Sequence, residues 1–196
     1  MLPVYCEHFG LTREPFNITP DPSFLYLSES HKEALAQLVY GIKSRRGFVV
    51  LTGEVGTGKT TLIHSLLEEL NGSTKTALIF NMIIGPKDLL RYVCEKFGLV
   101  SDHESEKDVH DYLSLLEHFL LDTYRENHNV ALIIDEAQNL PTEVLENVRL
   151  LSNFETTRDK LLQILLVGQP ELSKRLNASE LRQIKQRVAL RHHLNP

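Results

Sequence analysis

The stretch Gly53-Glu54-Val55-Gly56-Thr57-Gly58-Lys59-Thr60 has the spacing G-x-x-x-x-G-K-[ST]. Each residue type in it has a chemical reason. Glycines let the backbone take conformations that a β-carbon blocks, so several N–H groups can converge on one anion. A helix opening directly after the loop adds its positive dipole end. Lys59 can reach the β- and γ-phosphates, and the Thr60 hydroxyl can ligate Mg²⁺. Gly53, Glu54, Val55, Gly56, Thr57, Gly58, Lys59, Thr60 and the adjoining Thr61 are therefore the expected nucleotide-binding residues. The flanks agree. Phe48-Val49-Val50-Leu51 reads as a buried strand before the loop, and Leu62, Ile63, Leu66, Leu67 and Leu70 form a helical stripe after it.

The same alternation continues along the chain. Further apolar runs are Ala77 to Phe80, Val130 to Ile134, Leu162 to Val167 and the weaker Val188 to Leu190. Continuous apolar runs fit parallel strands buried on both faces. Helical patterns lie between them at roughly 59–70, 86–98, 107–126, 141–154 and 170–186. An earlier helix begins near Ser30 and Glu33, which have the spacing of a capping box, and carries Leu35, Leu38, Val39 and Ile42 on one face. Strand–helix alternation predicts a three-layer αβα sandwich of P-loop nucleoside-triphosphatase type with a mainly parallel five-stranded sheet.

Leu132-Ile133-Ile134-Asp135-Glu136 is a strand ending in two carboxylates. Beside a phosphate loop, Asp135 is expected to serve the metal, usually through water. Glu136 is expected to polarise the attacking water. Other strand ends carry polar groups where a γ-phosphate sensor is needed: Asn81 after the second run and Gln169 after the fourth. Their amides can bond water, phosphate or Glu136 without adding charge. Arg182, Arg187 and Arg191 cluster around the last helix and strand. Arg187 is the best placed to act on a neighbouring subunit's nucleotide, with its side chain expected to point outward. The implied cofactors are ATP and Mg²⁺. The Asp-Glu pair, on a strand set apart from the loop strand, is similar to the additional-strand division of P-loop proteins, which includes the AAA+ ATPases.

Composition bounds the alternatives. The chain has 196 residues, enough for one α/β domain and too few for a second large one. Its net charge of −5 argues against a dedicated nucleic-acid binder. Cys6 and Cys94 offer neither a zinc spacing nor a disulfide framework, which suits a reducing, cytoplasmic setting. The opening MLPVYCEHFG lacks the charged and apolar regions of a signal peptide. No apolar run approaches the roughly 20 residues that cross a bilayer. The nine histidines show no metal-ligand spacing. Cys94 reads as core, Lys43 to Arg46 as a basic helix C-terminus, and His192-His193 as one core and one surface residue.

Many further stretches resemble one AAA+ group. They include His8-Phe9-Gly10-Leu11, Pro15-Phe16, Thr19-Pro20-Asp21-Pro22, Phe24-Leu25-Tyr26, Ser28, His31 with Glu33-Ala34-Leu35, and Tyr40-Gly41-Ile42. Ile133 to Leu140, Leu150 to Thr156, Val167 to Leu172 and Leu181 to Arg187 extend the likeness over nearly the whole chain. The group is the general secretion pathway protein A (ExeA-type) ATPase family. The resemblance implies a Mg-dependent ATPase activated by self-association. It assigns Lys59 and Thr60 to nucleotide and metal, Asp135 to metal, Glu136 to catalysis and Gln169 to the sensor position. It also implies a cytoplasmic module tethered to the inner membrane in the full-length protein, with secretion or envelope-assembly proteins as partners. The same ATPase type resembles DNA-bound helpers of transposition, which is the alternative role. The expected plan is a strap over residues 1–30 packed on a core over 31–196 that stops where a helical lid would begin. The membrane span and peptidoglycan-binding region of full-length relatives are not in this sequence, and no membrane contact is expected within it.

Overall fold

The computed structural model describes residues 3–14, 27–80, 85–101 and 107–195. Five strands form one sheet: β1 (Phe48–Gly53), β2 (Thr74–Ile79), β3 (Asn129–Ile134), β4 (Leu162–Gly168) and β5 (Val188–Leu194). Their order is β2-β3-β4-β1-β5. Every pairing is parallel. Helices α1 (Val4–His8) and α2 (Glu29–Lys43) precede the first strand. Parallel neighbours require crossovers, and these contain α3 (Lys59–Leu70), α4 (Pro86–Lys96), α5 (Val109–Arg125), α6 (Thr142–Leu151), α7 (Pro170–Asn177) and α8 (Arg182–Arg187).

The strands alternate their side chains between two cores, as a period of two demands. Val49 and Leu51 of β1, Ala131 and Ile133 of β3, and Leu165 and Val167 of β4 face α2 and α3. Phe48, Val50, Leu132, Ile134, Ile164 and Leu166 face the other helical layer, where Leu89, Leu116, Leu145, Leu172 and Ile184 are buried. The expected three-layer sandwich is therefore present, and its sheet is wholly parallel. No helix among the described residues is long and apolar enough to cross a membrane.

Three local expectations are corrected. Helix α2 is capped by Ser28, whose side chain accepts from His31 N, and not by Ser30. The single helix expected over 170–186 divides. Ala178 is extended (ψ 153°), a 3-10 turn spans Ser179–Leu181, and α8 follows. Leu176 and Leu181 are both buried, and their five-residue separation does not fit one helical stripe; the break lets both reach the core. Strand β5 runs to Leu194, four residues beyond the expected end, because it pairs with β1 along its length.

The basic segment after α2 has a second role. Arg45 donates from Nε to Asn129 Oδ1 at 2.8 Å and lies 4.2 Å from the Tyr124 ring centroid, fastening the start of β3 to α2. Cys94 is buried in the core as expected, and its thiol is pushed up to about 11 by burial. His192 is half-buried against Gln37 Oε1 at 3.1 Å, and the exposed His193 meets Thr52 Oγ1 at 3.0 Å.

Candidate nucleotide site

The C-terminal ends of β1, β3 and β4 deliver the site. Residues 53–58 turn directly from β1 into α3, whose first helical residue is Lys59. Gly56 (φ +80°) and Gly58 (φ +84°) occupy the left-handed region, where a β-carbon is strained. The loop is tied internally at Glu54 O, which accepts from Thr57 N at 3.3 Å and from Thr57 Oγ1 at 2.8 Å. Lys59 Nζ is buried and donates to Gly53 O at 2.9 Å and Glu54 O at 2.8 Å. An ammonium has three donors, so one remains for a phosphate oxygen.

Thr60, in the first turn of α3, meets the acidic strand end across the sheet. Its Oγ1 donates to Asp135 Oδ2 at 3.3 Å. Asp135 is 4% exposed, and burial pushes its carboxyl above the usual range, helped by the neighbouring Glu136 charge. The Glu136 N–H, the Thr60 hydroxyl and the Lys59 charge act in the opposite direction. A hydroxyl and a buried carboxylate side by side form a hard oxygen donor set, which fits Mg²⁺.

Glu136 stands in the left-handed region (φ 52°, ψ 35°), a conformation that costs about 1–3 kcal/mol for a non-glycine residue. Asp135 Oδ1 holds it there by accepting from Glu136 N at 2.8 Å. The turn separates the side chains of Asp135 and Glu136: one goes toward Thr60, the other toward β4. On that side Glu136 Oε2 accepts from Gln138 Nε2 at 2.5 Å and from Gln169 Nε2 at 3.4 Å. Gln138 Oε1 in turn accepts from Gln169 N at 3.1 Å, and Gln138 O accepts from Arg175. Gly168 permits this crossing, because a β-carbon there would collide with Gln138 Oε1.

The structure thus brings Lys59, Thr60, Asp135, Glu136 and Gln169 together. Asn81 lies outside the described residues. Arg187 does not point outward. Its Nη1 turns back on the end of α6, donating to Arg149 O at 3.1 Å, Ser152 Oγ at 2.5 Å and Asn153 Oδ1 at 2.6 Å. The reason is local: the last carbonyls of a helix lack intrahelical donors and attract a cation.

Two contributors escaped sequence reasoning. Gln138 lies two residues past Glu136, in a stretch quoted only for family likeness. His31, from α2, approaches Thr57 O to 3.0 Å through Nε2. In the sequence it appears only among the family-like stretches and three residues after Ser28, the true cap, and neither place points to the loop.

A phosphate-type loop on an inner strand of a parallel sheet, with the acidic pair on the strand beyond its neighbour, defines an AAA-type nucleotide-binding domain. The chain belongs to the AAA domain family, which matches it over residues 42–176. It is 45% identical over 193 residues to General secretion pathway protein A of Aeromonas hydrophila, a match covering 98% of this chain and 35% of that protein. The chain therefore spans about a third of that relative's length, and the expected likeness to its family is borne out. Its fold is similar to the ORC2 protein of Aeropyrum pernix, solved as ADPNP–ADP complexes, with a TM-score of 0.65 at 21% identity over 92% of this chain and 51% of that one. Cdc6p from Pyrobaculum aerophilum is similar at a TM-score of 0.56 and 20% identity, over 90% of this chain and 50% of that one. At these identities the likeness establishes the fold alone.

Proposed function

We propose that the chain binds ATP with Mg²⁺ at residues 53–61 and hydrolyses it, and that subunits meet to complete the reaction. The observation that carries this reading is the 3.3 Å hydrogen bond from Thr60 Oγ1 to Asp135 Oδ2, which joins the loop helix to the acidic strand end. The loop N–H groups and Lys59 hold the phosphates. Thr60 and Asp135 hold Mg²⁺, which supplies charge neutralisation at the β- and γ-phosphates when bound. Glu136 aligns a water and accepts its proton. Both amides address Oε2, so Oε1 is the oxygen that takes this role. Gln169 is the sensor that links the γ-phosphate to Glu136. Arg187, once released from the end of α6, is the residue that serves a neighbour's nucleotide. Asn81 is retained as a second sensor on sequence grounds, and Asn81→Ala is expected to alter the coupling of ATP binding to hydrolysis.

The test is calorimetry with ATP and Mg²⁺ on the wild type and Lys59→Ala. The wild type is expected to bind and the variant to show no measurable binding, because a buried triphosphate loses its principal cation. Equal affinities would remove the loop from the reading.

For the biological role, we infer support of type II secretion or related envelope assembly by a cytoplasmic ATPase module tethered to the inner membrane in the full protein. The 45% identity to General secretion pathway protein A supports it. In the full-length protein, Lys59→Ala is expected to block export of type II substrates while the protein still accumulates. Unimpaired export, together with DNA binding that weakens steeply with salt, would favour a recombination helper instead.

A further inference from the structure

His31 belongs to α2, before the first strand, on an element that contributes no other side chain to the site described above. Its ring lies between two partners. Nε2 is 3.0 Å from Thr57 O, and Nδ1 is 2.7 Å from Ser28 Oγ. A carbonyl only accepts, so Nε2 must carry the proton. In the neutral ring Nδ1 is then the acceptor, and the Ser28 hydroxyl donates to it. Ser28 also accepts from His31 N at 3.4 Å, so the capping residue fixes both the backbone and the ring of His31.

The Thr57–Gly58 peptide is trans, as every described peptide is. In a trans peptide the C=O and the N–H point in opposite directions. Holding the Thr57 carbonyl toward α2 therefore turns the Gly58 N–H away from α2. The approach is tight. A β-carbon on Gly58 would stand 3.0 Å from His31 Nε2, so Gly58 is required by its φ of +84° and by this contact together. The ring also forms one wall of a cleft of about 340 Å³ over the loop, with Val55, Gly56 and Asn195.

We propose that His31 is a positioning residue of the phosphate loop: by donating from Nε2 to Thr57 O it presets the Thr57–Gly58 peptide so that its N–H meets a phosphate oxygen. The proposal rests on the nucleotide-binding reading and adds to it an N-terminal helix that sets the loop's affinity. Because the preset concerns the phosphate cradle, its loss must be felt equally by a nucleotide and by a bare polyphosphate.

The experiment compares wild type, His31→Ala and His31→Gln, using ADP and inorganic pyrophosphate as separate probes in calorimetry, with apo melting temperatures alongside. A glutamine amide can restore an N–H donor near the position of Nε2. His31→Ala is expected to weaken both probes by a similar factor of about tenfold, the scale of one lost hydrogen bond. His31→Gln is expected to recover most of that loss. The apo melting temperatures of the two variants are expected to match each other, so that stability does not account for the difference in affinity. ADP and pyrophosphate binding by His31→Ala at wild-type strength would overturn the proposal, as would a loss confined to ADP or a glutamine variant no better than alanine. A wild type that binds neither probe would overturn the nucleotide reading itself, a distinct result. If His31→Ala does not fold, Ser28→Gly serves in its place: glycine is tolerated as a helix cap, and it removes the hydroxyl donor to Nδ1 without substituting another. It should weaken both probes less than His31→Ala would, and unchanged affinities there would overturn the ring's role.

Discussion

Gln138 Nε2 donates to Glu136 Oε2 at 2.5 Å, across a single intervening residue. The 3-10 turn Ala137–Asn139 makes this contact possible by folding the chain back directly after β3. Gln138 Oε1 then accepts from Gln169 N. One amide therefore aims the carboxylate and ties it to the end of β4. We predict that Gln138→Ala lowers turnover by about tenfold to a hundredfold, the penalty of a misplaced catalytic group. Nucleotide affinity should change little, since the hydrogen bonds of Gln138 run to Glu136, Gln169 and Arg175. Phosphate release at saturating ATP, set beside the dissociation constant of a non-hydrolysable analogue, checks both halves.

Glu136→Gln is expected to preserve nucleotide binding and to cut turnover by at least about a hundredfold. The amide keeps the shape of the side chain but cannot take a proton from water. It can still accept a hydrogen bond from Gln138 through its carbonyl oxygen. Unchanged hydrolysis would take Glu136 out of the mechanism. A parallel loss of affinity would assign it a structural role at the left-handed turn.

Asp135 is a buried carboxylate whose folded-state pKa is raised, burial being the leading cause. The sign follows from linkage. Above the ordinary carboxylate range the unfolded state has released its proton, while the folded state still favours keeping it. Stability contributed by this residue therefore falls as pH rises through that window. Asp135→Asn removes the buried charge and is expected to raise the apo melting temperature near neutral pH by a few degrees, the shift that about 1 kcal/mol produces in a domain of this size. The same change removes a metal ligand, so the added stabilisation by Mg-ADP should shrink. Melting curves with and without Mg-ADP read both effects.

The legible parts of this chain were those where one physical pattern sufficed. Long apolar runs located β1, β3 and β4 because these inner strands are buried on both faces, whereas the half-buried edge strands β2 and β5 showed only part of their length; the loop spacing located Lys59 and Thr60 because that order of glycines and lysine suits a phosphate cradle. The places that misled depend on contacts distant in sequence. Ser30 offered a plausible capping pair with Glu33, yet Ser28 won because it also holds His31 against Thr57. Leu176 and Leu181 each read as helical, and only their joint burial shows the break between α7 and α8. Gln138 looks like an ordinary turn residue until β4 places Gln169 beside it. Arg187 follows a polar helix, which suggested an outward side chain; the end of α6, about 35 residues earlier, recaptures it.

That recapture sharpens the last prediction. In the isolated chain Arg187 Nη1 serves Arg149 O, Ser152 Oγ and Asn153 Oδ1, and is thereby kept from any neighbour. To act on a neighbouring nucleotide it must leave at least part of this cap. Such an arginine contributes about 10³-fold or more to phosphoryl transfer. Turnover should therefore be slow at low protein concentration, and specific activity should rise as subunits meet. Asn153→Ala loosens the cap without touching the nucleotide site, so it should lower the protein concentration at which activity is half-maximal. Arg187→Ala should lose most activity, and it should also melt somewhat earlier, because α6 loses its cation. The structural loss is separated from the catalytic one by mixing. Arg187→Ala keeps a complete loop, and Lys59→Ala keeps its arginine, so a mixed contact holds both halves of one site. Partial recovery on mixing these two variants is the expected result. Specific activity that stays constant over a wide concentration range, with no recovery on mixing, would leave Arg187 as the cap of α6 alone.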